Sequence, residues 1–397
     1  MNYRINEKNG DQLSILGFGC MRLPTKNNSI DEARSEAMII AAIEQGVNYF
    51  DTAYLYQFGK SERILGSTLA KGYRDRVKIA TKLPHFMVKK VSDLDAILAK
   101  QLQRLQTDRI DYYLIHMLPD TGTWERLKAI GIEKWIADRK ASGQIVNIGF
   151  SFHGIKDQFI QLVDSYDWDF CQIQYNFLDE YNQAGTAGLK HAKARGLPVI
   201  VMEPLRGGRI VTGLPREVSE IWRSAKPAWS AAEWGLRWVW DHPEATVVLS
   251  GMSNEEQVAE NIRIASEAGA NTLLPEELEL FEQAKAILNQ NIKVSCTGCG
   301  YCMPCPFGVD IPACFSLYNE NFAMKSRRSK LNYLQNTGAM TANPAYASLC
   351  TKCGRCEAHC PQAIPIRDSL DDVVKVMEGR LFKLIVRLGK KFMRVKS

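Results

Sequence analysis

Eight cysteines of this 397-residue chain fall into two runs whose spacing suits metal chemistry. The first reads Cys296-x2-Cys299-x2-Cys302-x2-Cys305-Pro306 and the second Cys350-x2-Cys353-x2-Cys356-x3-Cys360-Pro361. Three thiolates at C-x2-C-x2-C wrap one face of a [4Fe–4S] cube, and in chains with two cubes the Cys before Pro reaches the other one. That rule groups Cys350, Cys353 and Cys356 with Cys305, and Cys296, Cys299 and Cys302 with Cys360. The first run departs from it by one residue, x2 in place of x3 before Cys305, so the partnering stays open. Cys314 is a reserve ligand or a buried thiol. Zinc is the rival occupant, but a four-ligand zinc site does not call for three evenly spaced cysteines followed by Cys-Pro. Disulfides fit poorly, because nine of the eleven cysteines are crowded between Cys296 and Cys360, and short repeated spacings in an intracellular chain read as metal ligation. Two [4Fe–4S] clusters are expected.

Upstream the pattern changes. Short runs rich in Val, Ile, Phe and Tyr alternate with longer stretches of helical period from residue 16 to about 267. Strands are expected at 16–20, 47–51, 77–82, 110–116, 147–151, 170–175, 198–203 and 246–250. Helices are expected between them, among others at 31–45, 93–106, 123–142 and 228–242. Eight strand–helix units imply an α/β fold, a (β/α)8 TIM barrel, whose chemistry sits at the C-terminal ends of the strands. Polar residues fall at those ends: Asp51, Lys82, His116, Ser151, Gln174 and Glu203. A capping helix over 275–290 closes a first domain, 1–291. A small, mainly helical cluster domain, 292–372, follows. The last part, 373–397, is expected as a basic amphipathic helix with Leu381, Leu384, Ile385, Leu388, Phe392 and Val395 on one stripe.

The segments Asp51-Thr-Ala-Tyr-Leu-Tyr56, Ala80-Thr-Lys82 and Asp111-Tyr-Tyr-Leu-Ile-His116 carry a resemblance. The barrel looks like an aldo-keto reductase over almost all of residues 10–267, with Asp51, Tyr56, Lys82 and His116 in the family's order. The chemistry suits these types. Carbonyl reduction brings hydride to carbon while the oxygen gains charge and then a proton. Tyr56 is the expected acid. A free phenol has a pKa near ~10, and a Lys82 cation held by Asp51 lowers it. His116 would donate to the carbonyl oxygen.

The resemblance also implies NADP(H) or NAD(H), bound without a Rossmann glycine motif. Ser151 and Gln174 match positions that hold the nicotinamide carboxamide. Ser250, Gln257 and Asn261 match the loop and helix at the adenosine phosphate, where a helix N-terminus favours an anion. Phe152 and Met202 depart from the family's usual Asn and aromatic residue. Ser253 and Asn254 stand where NADP-specific relatives often carry a cation, and Arg263 is the remaining candidate for a 2′-phosphate. The loop Pro204-Leu-Arg206-Gly-Gly-Arg209 follows strand seven, where barrel enzymes often bind phosphate. Substrate choice is expected from loops 118–124 and 212–227.

The two halves together resemble a fusion of a reductase barrel with a ferredoxin-like domain, common in anaerobic microbes. A hydride carries two electrons and a cube one, and no flavin motif is present to bridge them. The resemblance thus implies a small carbonyl substrate, with the clusters expected to exchange electrons with a redox partner protein or with the substrate. The alternative is an electron-transfer or redox-sensing module whose barrel is a docking or sensing body.

Composition sets outer limits. With 46% hydrophobic and 24% charged residues, a large core can be built. No apolar run is long enough to span a bilayer and the start lacks a secretory pattern, so a cytoplasmic location is expected. Net charge is +6, but seven Lys or Arg residues and no acid follow Glu378. Nucleic acid is not implied by the balanced remainder. The basic segment suits either an anionic membrane surface or a helix packed with a solvated face.

Overall fold

A computed structural model describes residues 1–394, apart from residues 28, 155, 213, 325–326 and 340–343. Eight parallel strands close into a barrel: β1 (Leu16–Gly19), β2 (Tyr49–Asp51), β3 (Lys78–Leu83), β4 (Ile110–Leu118), β5 (Ile145–Phe152), β6 (Phe170–Gln174), β7 (Val199–Met202) and β8 (Ala245–Ser250). They neighbour one another in chain order, and β8 pairs back onto β1 through Val248 and Leu16. Both faces of each strand are covered, which is why the strands read as apolar runs and not as alternating ones. Leu13, Tyr49, Tyr112, Phe170, Ile200 and Val247 fill the interior. A hairpin missed in the sequence, Tyr3–Ile5 with Gln12–Ser14, precedes β1. From it Asn6 donates to Tyr112 Oη (3.0 Å), and Tyr112 donates to Asp11 (2.7 Å).

The helix expected over 123–142 is two helices, Thr121–Ile130 and Ile132–Ala141. Gly131 between them sits at φ +101°, a left-handed conformation that ends one helix and starts the next. Apolar spacing on both sides of it hid the break.

The chain divides into two compact units, Met1–Leu205 with Ala232–Leu274, and Arg206–Ala231 with Pro275–Ser397. The helix expected to cap the barrel, Pro275–Asn291, groups with the second unit. There it packs on helix Arg216–Ser224, with Phe281 against Trp222 at 5.3 Å. The rest of that unit is built from helices Ile311–Met324, Arg327–Asn336, Ile366–Met377 and Arg380–Arg394 around Val309, Phe315, Tyr333, Leu370, Val373 and Met377. The basic run 325–330 lies partly outside the described residues. So does Val395 of the expected apolar stripe, together with the side chains of Leu388 and Phe392. Within the described part the stripe is divided, with Ile385 half-buried against the core. Phe382 and Val386 are buried, while Leu381 and Leu384 point outward. The helix turns its i, i+4 aromatic–valine pair to the core, and leucine periodicity alone did not reveal that.

Candidate functional site

In a closed barrel the residues ending neighbouring strands meet at one mouth. Asp51 ends β2, Lys82 lies near the end of β3 and His116 lies in β4. All three are buried, with Lys82 only 1% exposed. Tyr56 is half-buried on the short turn Tyr56–Gly59 after β2. That turn carries φ +45° at Gln57 and +58° at Phe58. Such conformations cost about 1–3 kcal/mol each in non-glycine residues.

The Lys82 ammonium donates to Asp51 Oδ1 (2.5 Å), the Thr52 carbonyl (2.8 Å) and Tyr56 Oη (3.4 Å). The other Asp51 oxygen accepts from Gln172 Nε2 at 3.0 Å. The rings of Tyr56 and His116 approach edge to face at 6.1 Å. Burial pushes Lys82 down and Asp51 up, and each opposes the other's shift through its charge. Burial, and then the Lys82 charge, hold His116 well below the ordinary imidazole value. At neutral pH the imidazole is therefore neutral, a hydrogen-bond donor and not an acid. Behind β3, Thr81 donates to Glu62 (2.7 Å), Gln101 donates to both, and Arg104 pairs with Glu62 at 2.9 Å.

Ser151 Oγ, at the end of β5, accepts from the Met117 N–H at 2.8 Å and fixes the backbone next to His116. Its hydroxyl keeps a proton to donate. Gln174 is bonded at both ends, to Asp179 (2.8 Å) and from Gln183 (3.0 Å). Asn261 donates to Ser250 Oγ at 2.8 Å. Asn254 caps helix Glu255–Glu267 by accepting from Gln257 N, and the Gln257 side chain accepts from Ser253 N (2.8 Å). Arg263 does not reach toward that helix start. It is taken by Glu233 (2.5 Å) and Glu267 (3.3 Å). Phe152 is buried against Phe159, and Met202 packs on the barrel interior. Gln172 was missed in the sequence. A polar residue two before Gln174 on an otherwise apolar strand is the signal that marks it.

The second unit brings Cys296, Cys299, Cys302 and Cys360 around one cavity, among Thr297, Ile311, Phe315 and Ile366. Burial, followed by the nearby Cys299, Cys296 and Cys360, pushes the Cys302 thiol up to about 12. Four crowded thiols in an apolar space are unfavourable as bare thiolates, and ferric or ferrous iron reverses that balance. The donor set therefore fits an iron–sulfur cube. Among the described residues no three His, Cys, Asp or Glu side chains converge on a single-ion site. Burial also raises the Cys356 thiol, with Glu357 and Cys350 among its neighbours, and Cys353 is exposed. Cys314 lies apart in the core, 3.7 Å from both Tyr333 Oη and the Ala345 carbonyl.

The two cysteine loops share a backbone. Cys296-Thr-Gly-Cys-Gly-Tyr-Cys302 and Cys350-Thr-Lys-Cys-Gly-Arg-Cys356 carry positive φ at the same places, Gly298 (+70°) with Lys352 (+61°) and Gly300 (+79°) with Gly354 (+75°). In both, the residue two after the first Cys donates its N–H to that sulfur at 3.4 Å. The arginine loop after β7 belongs to the same unit. Arg206 and Arg209 line a cavity of about 260 Å³ with Asn291, Cys296, Ser316 and Asn319, and Arg209 donates to Ser316 Oγ at 2.7 Å.

Residues 15–281 match the aldo/keto reductase family, and residues 295–364 match the 4Fe-4S dicluster domain. The chain is 26% identical to the NADH-specific methylglyoxal reductase of Escherichia coli over 325 residues, 68% of this chain and 96% of that one. It is 29% identical to aflatoxin B1 aldehyde reductase member 2 of Rattus norvegicus over 311 residues, 64% and 81% of the two chains. An aldo-keto reductase of Bacillus halodurans in its holo form superposes with a TM-score of 0.60 at 26% identity, over 72% of this chain and 96% of that one. One from Klebsiella pneumoniae in complex with NADPH gives 0.57 at 22% identity, over 71% and 95%, a likeness of fold.

Proposed function

Because the chain belongs to the aldo-keto reductase family and continues into a 4Fe-4S dicluster domain, we propose that it is a nicotinamide-dependent reductase of a small carbonyl compound, with two [4Fe–4S] clusters exchanging single electrons with a redox partner protein. When bound, the nicotinamide supplies a hydride and the clusters supply one-electron steps. The observation that carries this reading is the buried Lys82 ammonium shared by Asp51 and Tyr56. As the carbonyl oxygen gains charge, Tyr56 Oη gives it a proton. The adjacent ammonium stabilises the phenolate left behind, and Asp51 keeps that ammonium charged in a dry site. His116, neutral, donates an N–H to the same oxygen and orients it. Ser151 holds the His116 strand end and, with Gln174, faces the nicotinamide end. Ser250, Gln257 and Asn261 serve the adenosine phosphate.

NAD(H) is favoured over NADP(H). Glu255 and Glu256 open the helix at the adenosine end, and Arg263 is committed elsewhere. The Escherichia coli relative, a methylglyoxal reductase named as NADH-specific, points the same way. In the cluster domain, Cys296, Cys299, Cys302 and Cys360 would hold one cube, and Cys305, Cys350, Cys353 and Cys356 the other.

Tyr56→Phe in the anaerobically reconstituted protein tests the reading. Carbonyl turnover should fall by about 10²-fold or more, with NADH binding and cluster absorbance kept. Unchanged turnover sinks the assigned acid. The engagement of Gln174 by Asp179 and Gln183 supports the second reading, a barrel used for docking or sensing. Failure of the wild-type protein to bind NADH would favour it.

A further inference from the structure

Helix Arg380–Arg394 has two faces with different company. On one, Phe382 and Val386 are each 7% exposed, and Phe382 packs on Tyr333 (5.8 Å) and Tyr346 (5.4 Å). Ile385 is half-buried beside them. This face anchors the helix to its own unit. On the other, Leu381 is 69% and Leu384 53% exposed, and Arg380, Lys383 and Arg387 are exposed around them. At about 100° per residue, Leu384 lies opposite the anchor. The two leucines form an edge directly beside the stripe of three cations.

Charge separates this segment from everything before it. Seven Lys or Arg residues and no acid follow Glu378; taking those seven from 50 leaves 43 bases against 44 acids in the remainder. The whole positive excess of the protein thus sits here. Its exposed leucines lie next to its cations, so the outward side of the anchored helix is itself amphipathic. That combination, an apolar edge beside a cationic stripe, is how a helix lies in the interface of a bilayer. Among the described residues no helix is long and apolar enough to cross a membrane, so the contact is with the surface.

We propose that this helix docks the protein on an anionic lipid surface. Arg380, Lys383 and Arg387 meet headgroup phosphates, and Leu381 and Leu384 enter the acyl boundary. The charge complement selects an anionic bilayer. Nucleic acid would engage the cations and leave the leucines in water.

The test uses the full-length holoprotein and phosphatidylcholine vesicles with and without phosphatidylglycerol, read by co-sedimentation and without reference to reductase activity. Binding is expected to anionic vesicles only, and to weaken as salt shortens the Debye length from roughly 30 Å at 0.01 M to about 10 Å at 0.1 M. Charge reversal at Arg380→Glu, Lys383→Glu and Arg387→Glu should lower partitioning on the order of a hundredfold or more. Leu381→Ser with Leu384→Ser should weaken it at least about tenfold at fixed charge. These positions are exposed, and cluster absorbance and circular dichroism verify the fold of each variant. A wild-type protein that stays in solution beside anionic vesicles at low salt overturns the proposal. So does binding that ignores the leucine changes, or a leucine variant that converts a dimer to a monomer without vesicle binding by the wild type.

Discussion

Replacing Asp51 by Asn leaves the Lys82 ammonium buried without its counter-ion. The two groups are 2.5 Å apart and Lys82 is 1% exposed. At an effective dielectric constant of about 20, an ion pair at that distance is worth about 7 kcal/mol. The loss has a lower ceiling, because the ammonium can give up its proton instead. From an ordinary value of 10.5, that costs about 5 kcal/mol at pH 7 and about 2 kcal/mol at pH 9, at ~1.4 kcal/mol per pH unit. The sign follows. A base whose folded pKa is depressed destabilises the protein below that pKa, and the penalty fades as pH rises toward the unfolded value. Asp51→Asn should therefore cost about 3–5 kcal/mol at pH 7 and visibly less at pH 9. Turnover should drop by about 10²-fold or more, because Tyr56 loses its charged neighbour. Asp51→Asn with Lys82→Met should recover much of the stability and none of the turnover. All eight tryptophans lie between Trp124 and Trp240, so urea unfolding followed by tryptophan fluorescence reports on that part of the chain. A loss below about 1 kcal/mol at pH 7, or a loss of equal size at pH 7 and pH 9, would show that no buried charged pair exists here.

Three further outcomes are expected. Cys360→Ser should lower iron from about eight to about four atoms per chain and remove one of two paramagnetic signals after reduction, as Cys302→Ser should; loss of different signals by the two variants would break their grouping. Acid should weaken the barrel as pH falls from 6.5. Burial holds His116 far below that value, and His85 (burial, then Arg126) and His153 (burial, against the raising bond to Gln183) at about 4. The unfolded chain binds those protons first, each adding a slope of up to about 1.4 kcal/mol per pH unit, with Asp51 pulling in the opposite direction. His116→Asn should flatten the stability curve between pH 6.5 and pH 4, and an unchanged slope refutes the assignment. Ser253→Lys should raise NADPH affinity relative to NADH by about tenfold, measured by fluorescence titration, and an unaltered ratio would mean the 2′-position lies elsewhere.

The barrel was legible because burial on both faces writes each strand as an apolar run, and a polar residue at its end stands out. Asp51, Lys82 and His116 were found that way. Gln172 was not, since a mid-strand glutamine stands out from its apolar neighbours without showing what it meets until Asp51 is placed beside it. Spacing could not show that Arg263 spends its charge on Glu233, because that partner is 30 residues away in sequence. Nor could it show that the break at Gly131 falls inside one apolar period. In the cysteine loops the residue types were plain, but the matched positive φ angles of Gly298 and Lys352 join a glycine to a lysine. Composition gave no warning of that equivalence. Leucine spacing in the last helix identified a periodic stripe without saying which side of it faced the core.

The cavity ringed by Cys296, Cys299, Cys302 and Cys360 also bears on how the protein is made. Three of its cysteines lie within seven residues of sequence, and the fourth, the last of the second run, comes 58 residues after Cys302. A nascent chain stalled before Cys360 presents three exposed thiols and no closed cage. The ring of four sulfurs is therefore complete only once Cys360 has been added. A truncation anywhere between Cys305 and Cys360 leaves every residue of the first run in place and still removes one of the four sulfurs that line this cavity.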